Sequence, residues 1–392
     1  MMKFFPLAAV VTTIIGAAFV TWDTHTPYEI RWEKASLDDH GVMRAPELII
    51  QHQDIDEAWA TIGYSIYRSR QGENFKKVTT IRPRFGLAWG GYSRILRSWS
   101  GHIELTEVVP LSPDLLVVFA GGDIYRIDLR TKSQDHSHRL RYFGLGQGRG
   151  VMPHGIAVDA HGVLYYGEYP TSPRDSNHTV RLYRSADEAR TWKVAFEFKP
   201  GKVRHLHTVR WDPIDHALWV GTGDPNPQPR IGYLHDSGTS FRWIGMGSQL
   251  FRVVSLLFFN DVVAWGTDTR EREKMRTVLW HRKENRIDIG GQALPSPAYY
   301  ALELSNRAGI ITLAETETSV WFIDSQNHVR KLFEWPAKTE YHGPHPAVRV
   351  PRSSSLGSQW VYLSPLRTTE EDAAVYRIPT SFLLNWNTYA VK

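Results

Sequence analysis

The residues that could do chemistry in this 392-residue chain fall into two series, each recurring at one place in a repeated strand pattern. The first series opens strands. It holds His154 in MPHGIAVD, His205 and His207 in RHLHTVRWD with Arg210 further along, Arg252 in FRVVSL, the pair Tyr299 and Tyr300, and Arg349 in AVRVPRS. The second series closes strands: Glu168 in GEY, Asp224 in GTGD, Asp268 in GTD, and Glu315 and Glu317 in AETE. Histidine is a base near neutral pH, tyrosine can donate to a leaving oxygen, and arginine can pair with a carboxylate through two bonds. Two suitably spaced carboxylates could instead cleave a glycosidic bond. The candidate catalytic residues are therefore His154, His205, His207, Glu168, Asp224, Asp268 and Tyr299. Arg210, Arg252, Arg349 and Tyr300, with Arg230 and Arg270 from the polar loops, are candidates for holding substrate. Plainer readings stand beside these. A histidine opening a strand is often a hydrogen-bonded core residue, and a strand-end acid often caps a turn. His205 and His207, two residues apart, share one strand face and could ligate a metal. Glu168, Asp224 and Asp268 could hold calcium or another divalent metal, although none of the chemistry above requires a cofactor.

These residues need strands to carry them. From Thr61 onward, apolar segments of five to eight residues come in groups of about four. Each group spans roughly 45–50 residues, the period of β-propeller blades. YSIYRS and FKKVTTI, joined by RQGEN, read as a hairpin. The groups that follow lie near 107–143, 155–198, 207–245, 253–290 and 299–335, with three further strands in 347–378. The expected fold is all-β: a propeller of four-stranded antiparallel blades. A six-bladed ring follows if the hairpin at 64–81 completes the last group, and a seven-bladed one if residues 28–83 form a blade of their own. Six is the narrowly favoured count. The division expected is 1–22 as signal peptide or N-terminal anchor, 23–60 as leader and 61–392 as one propeller domain. In a propeller, both series of chemical residues point to one face of the central axis.

Two hairpins add a resemblance. Ser185-Ala-Asp187-Glu-Ala189-Arg-Thr191-Trp192 resembles the Asp-box, S-x-D-x-G-x-T-W, of sialidases and related BNR-repeat propellers. Leu234-His-Asp236-Ser-Gly238-Thr-Ser240-Phe241 is similar to it, one blade later. The resemblance implies a propeller in which Asp187, Trp192, Asp236, Gly238 and Phe241 shape the blade and stand away from any active site. The sialidase catalytic motifs do not carry over. Tyr376-Arg377-Ile378-Pro379 matches a string that opens the catalytic domain in that family, but here it falls near the end of the chain.

Composition narrows the functional classes. With 46 Lys and Arg against 41 Asp and Glu, the net charge is +5. No basic run or nucleic-acid motif accompanies it, so nucleic acid is not an expected partner. The absence of cysteine excludes disulfides, thiol catalysis and thiolate metal sites. Residues 1–22 place one lysine before an apolar run, as in a signal peptide or a membrane anchor, and predict export. Polar loops carry Arg174, Arg230, Arg270, Arg272 and Arg276, which read either as ordinary solvated loop charge or as a basic rim that would attract an anionic polysaccharide. The leading expectation is an exported propeller that binds, and could cleave, an anionic glycan by hydrolysis or β-elimination. The alternatives are a non-catalytic adhesion or envelope scaffold and a metal-dependent lactonase-like hydrolase.

Overall fold

The computed structural model describes residues 26–35, 41–84, 105–144, 148–171, 178–235, 240–340, 345–353 and 356–385. The apolar N-terminal segment, Asp236, Gly238 and Arg174 lie outside them.

Seven four-stranded antiparallel blades make up a β-propeller. Blade 1 runs through Ile49–Gln53, Glu57–Ile62, Ser65–Arg70 and Phe75–Thr80. Blade 2 covers Leu105–Arg139, blade 3 Ile156–Phe198, blade 4 His205–Met246, blade 5 Leu257–Asp288 and blade 6 Ala298–Trp335. Blade 7 takes Ala347–Arg349, Trp360–Leu366 and Val375–Pro379 from the end of the chain. Its fourth strand, Met43–Ala45, comes from the N-terminal side and pairs Arg44 with Tyr376. The count is thus seven. The hairpin at 65–80 belongs to a blade of its own, and the strand missing from the last group is supplied by residues 43–45. Strands at 43–45, 49–53 and 57–62 place much of the expected leader, 23–60, inside the propeller. That stretch lacks a steady hydrophobic period because Ile49–Gln53 and Glu57–Ile62 are buried on both faces, so apolar and polar residues do not alternate along them.

Aromatic side chains fill the wedges between blades. Between blades 4 and 5, Trp219, Tyr233, Phe258, Trp265 and Trp280 pack in one cluster, with Trp219 and Trp265 fully buried. Large planar rings suit this space because neighbouring sheets splay outward from the axis, and each ring removes a large apolar area from water. Ring closure is reinforced where Arg352–Ser353, just after the first strand of blade 7, lies parallel to Ile49–Gln53 of blade 1. A small extra sheet joins Phe143–Gly144, Gly148–Gly150 and Tyr169–Pro170. It brings Arg149 and Tyr169 to the axial face.

Candidate functional site at the axis

A cavity of about 890 Å³ opens on the axis where blades 3 to 7 face one another. Its wall is built from the two positions singled out in the sequence: the starts of first strands and the ends of second strands. His207, Arg252, Tyr299, Tyr300 and Arg349 come from the former. Asp224, Asp268 and Glu315 come from the latter, and Arg270 reaches the wall from the polar loop beyond Asp268.

The deepest group centres on Asp224. Its Oδ1 lies 2.9 Å from His207 Nε2 and 3.2 Å from His205 Nε2, and the two Nε2 atoms are 2.8 Å apart. Two features of blade 4 produce this. The ladder between its first and second strands pairs Leu206 with Thr222 and then Thr208 with Gly221, leaving His207 in a bulge. Bulges of this kind re-aim a side chain. The His207 ring then occupies the place of a Gly223 side chain: a Cβ there would lie 2.4 Å from His207 Cε1. His205 is fixed by its Nδ1, which donates to the Pro170 carbonyl at 2.8 Å, and by Tyr169, stacked on it at 4.1 Å and 15°.

Charges around this group are tightly coupled. Arg252 reaches Asp224 Oδ1 at 3.1 Å and Asp268 Oδ2 at 3.0 Å, and Arg204 reaches Asp224 Oδ2 at 3.1 Å. Burial opposes the charge on Asp224, but the adjoining imidazoles outweigh it and hold the carboxyl well below the usual carboxylate range. Burial pushes His207 down to about 4 despite the pull of Asp224, so the ring is neutral at pH 7. With that ring neutral, the guanidinium groups of Arg252 and Arg204 supply the positive charge beside Asp224. Asp268 is pushed up to about 7 by burial, against the lowering effect of Arg252. Arg252 is raised, because Asp268 and Asp224 overcome the cost of burying it.

A second group stands at the rim. Tyr299 donates to Glu315 Oε1 at 3.4 Å, His345 Nε2 lies 3.7 Å from the same oxygen, and Arg270 forks onto both Glu315 oxygens at 2.8 and 3.0 Å. Glu315 takes a φ of 74°, a left-handed conformation that costs a non-glycine residue about 1–2 kcal/mol. Burial lowers His345 and holds Tyr299 well above its usual range.

The other sequence candidates sit elsewhere. His154 is buried with its Nδ1 2.7 Å from the Ser255 hydroxyl, and its carbonyl accepts from Val209 and Thr208. It packs on Tyr300 but does not line the cavity. Glu168 accepts from the Arg181 amide at 2.9 Å and faces Arg141 at 3.3 Å, so it does not join Asp224 and Asp268 in a calcium cage. Arg210 is committed to Glu303, with Nη2 at 3.1 Å from both oxygens, and lies over the Phe258 ring. Arg230 lies over Trp243. Arg349 does line the cavity but also holds Gln51 at 2.6 Å and Glu107 at 3.3 Å.

The hairpin at 185–192 has its expected local structure. Asp187 accepts from the Ser185 hydroxyl and from the Thr191 amide and hydroxyl. Ala189 adopts φ 64°, and Trp192 packs on Phe119 and Tyr166. Phe241 packs between Phe196 and Trp243.

Sequence reasoning passed over Tyr169, Arg149, Arg204, Gln249 and His345. Tyr169 follows the Glu168 that drew attention in GEY, and Arg204 directly precedes His205. Arg149 and His345 carry no local signal, since each reaches the axis from a segment outside the four-strand repeat.

The fold and the site together define a seven-bladed propeller with a charged axial pocket. Neither a protein-family model nor a curated protein matches the chain. Among solved structures, it is similar to an oligogalacturonate lyase from Vibrio parahaemolyticus, at 9% identity and a TM-score of 0.55, covering 89% of this chain and 96% of that one. It is also similar to a chain of the mitotic checkpoint complex, at 10% identity and a TM-score of 0.53, covering 89% and 97%. Two proteins so different in role share this architecture, so these likenesses speak to fold alone.

Proposed function

We propose that this chain is an exported carbohydrate-active propeller that takes an anionic oligosaccharide in its axial cavity and cleaves it by β-elimination. The observation that carries the reading is the lining. Arg149, Arg252, Arg270, Arg349 and Arg367 converge on one space of about 890 Å³ that also presents Tyr169, Tyr299 and Tyr300. Volumes of this order hold small ligands. Arginine neutralises carboxylates through paired bonds, and tyrosine rings give sugars a flat apolar face. Arg149 has no carboxylate partner among the described residues and is the guanidinium best placed to receive one from a ligand. The Asp-box resemblance and the lyase among the structural neighbours agree with a glycan ligand, but the cavity supplies the argument.

Elimination suits these groups better than hydrolysis. Hydrolysis needs two carboxylates flanking the scissile bond, whereas Asp224 and Asp268 are both tied to Arg252 on one wall. In elimination, a base removes the proton α to a uronate carboxylate. The electrons left behind form a C4–C5 double bond, the C4–O bond breaks, and the departing oxygen takes a proton. At the rim, His345 is kept neutral and can accept the first proton. The Tyr299 hydroxyl stays protonated and can give the second. Guanidinium pairing with the carboxylate stabilises the charge that develops between the two steps.

The test is a panel of uronate-containing and neutral polysaccharides, followed by ultraviolet absorbance of unsaturated product and by reducing-end release. Unsaturated ends from a uronate polymer, lost in Tyr299→Phe and in His345→Ala, are the expected result. Reducing ends without unsaturation would replace elimination by hydrolysis. No turnover and no binding on the panel would overturn the reading.

A further inference from the structure

We propose that His205, His207 and Asp224 form a binding site for one divalent transition-metal ion. The proposal does not depend on the glycan reading, since it follows from donor geometry alone. The three inward-facing atoms, two imidazole Nε2 and one carboxylate Oδ1, form a triangle with sides of 2.8, 2.9 and 3.2 Å. Two ligands at right angles, each about 2.1 Å from a metal, stand about 3.0 Å apart. The triangle therefore has the dimensions of one face of a metal's coordination shell.

Proton bookkeeping points the same way. His205 Nδ1 sits 2.8 Å from the Pro170 carbonyl, which can only accept. That nitrogen must carry the hydrogen, so the tautomer compatible with this bond has its lone pair on Nε2, facing inward. This tautomer, with the outer N–H held by a carbonyl, is the arrangement of a ligating histidine. His207 Nε2 faces both that lone pair and Asp224 Oδ1, and a single proton cannot satisfy both. Asp224 Oδ1 and His207 Nδ1 are buried without a directed hydrogen bond among the described residues. Three electron-rich atoms thus share one point with too few protons, and a cation resolves the deficit. Asp268 Oδ2 lies 3.7 Å from His207 Nδ1, too long for a hydrogen bond but close enough for its charge to act on the ring.

The ligand set selects the metal. Imidazole with a single carboxylate suits zinc, manganese, iron, cobalt or nickel, whereas calcium prefers six to eight oxygens. His207 and Asp224 line the cavity, so the remaining coordination positions face a bound ligand. Arg252 competes for the site from 3.1 Å, yet a carboxylate oxygen offers two acceptor directions and the guanidinium keeps its second partner in Asp268.

The experiment strips the full chain with a chelator and then titrates it separately with zinc, manganese and cobalt. Calorimetry and elemental analysis measure binding, and the visible spectrum of the cobalt form reports its ligands. One equivalent is expected, with affinity reduced roughly 100-fold or more in His207→Gln and in Asp224→Asn. Asp268→Asn is expected to lose about tenfold, and His328→Ala, at an exposed histidine, none. Circular dichroism and thermal melting identify any variant that fails to fold. Because Asp224→Asn keeps the shape of the side chain, it is the deciding variant. No stoichiometric binding by the parent chain, or binding unchanged in both Asp224→Asn and His207→Gln, would overturn the proposal.

Discussion

Gly223 sets the geometry of the site at the scale of a single residue. The His207 ring lies where a side chain on Gly223 would be, and the atom it would meet first belongs to the imidazole itself. Gly223→Ala is therefore expected to displace His207 and to abolish metal binding while the blade still folds. Calorimetric titration beside a thermal melt checks this. Arg149 makes the complementary case. Removing it in Arg149→Ala leaves the internal ion pairs intact and is expected to weaken anionic oligosaccharide binding by about 1.5–3 kcal/mol, roughly tenfold or more, with neutral sugars unaffected. Binding isotherms on a charged and an uncharged oligosaccharide of equal length measure the difference. The sequence brought His205, His207, Asp224, Asp268 and Arg252 into view because they share strand-end positions. It equally promoted His154, Arg210 and Glu168. Their neighbours in space, Ser255, Glu303 and Arg141, are far away in the chain, so no local pattern shows that they are already engaged.

The blade is the next scale, and here buried charge is the main lever. Glu168 follows the second strand of blade 3. Its side chain accepts from Arg181 on the third strand, and its carbonyl accepts from Leu206 on blade 4. Burial raises its pKa from 4.5 to about 7, against the lowering effects of Arg141 and Arg181. The folded chain therefore holds a proton on Glu168 over a range where the unfolded chain has lost it. Between pH 4.5 and about 7 the folded state binds more protons, so this group's contribution to stability is full below that window and falls as pH rises through it. Glu168→Gln, which stays neutral throughout, is expected to flatten the decline. Urea midpoints measured from pH 4.5 to 7.5 in both proteins give the comparison. The hairpin at Asp187 is a more local element, legible in the sequence because its donors and acceptors lie within seven residues of one another. The bulge at His207 was not legible, because it depends on how Thr208 pairs with Gly221 on the neighbouring strand.

For the molecule as a whole, the decisive contact is the closure of the ring. Met43–Ala45 completes blade 7 beside Val375–Pro379, and Arg44 pairs with Glu33 and Glu371 around it. Truncation before residue 46 is expected to expose the edge of Val375–Pro379, lower the melting temperature and promote aggregation. Differential scanning fluorimetry and size-exclusion chromatography test this. By itself, the sequence determined that the chain is all-β, that it repeats every 45–50 residues as four-stranded blades, and that histidines, arginines and acids recur at the strand ends facing the axis. Those properties follow from alternating burial and turn chemistry, which act between residues near in the chain. Only the tertiary structure decided that there are seven blades, because the closing strand lies more than 300 residues from its partner. It also decided which charged groups share a pocket and which are spent on one another. Strand spacing fixes the face of a sheet that a side chain presents, but its partners across the axis depend on how the whole ring closes.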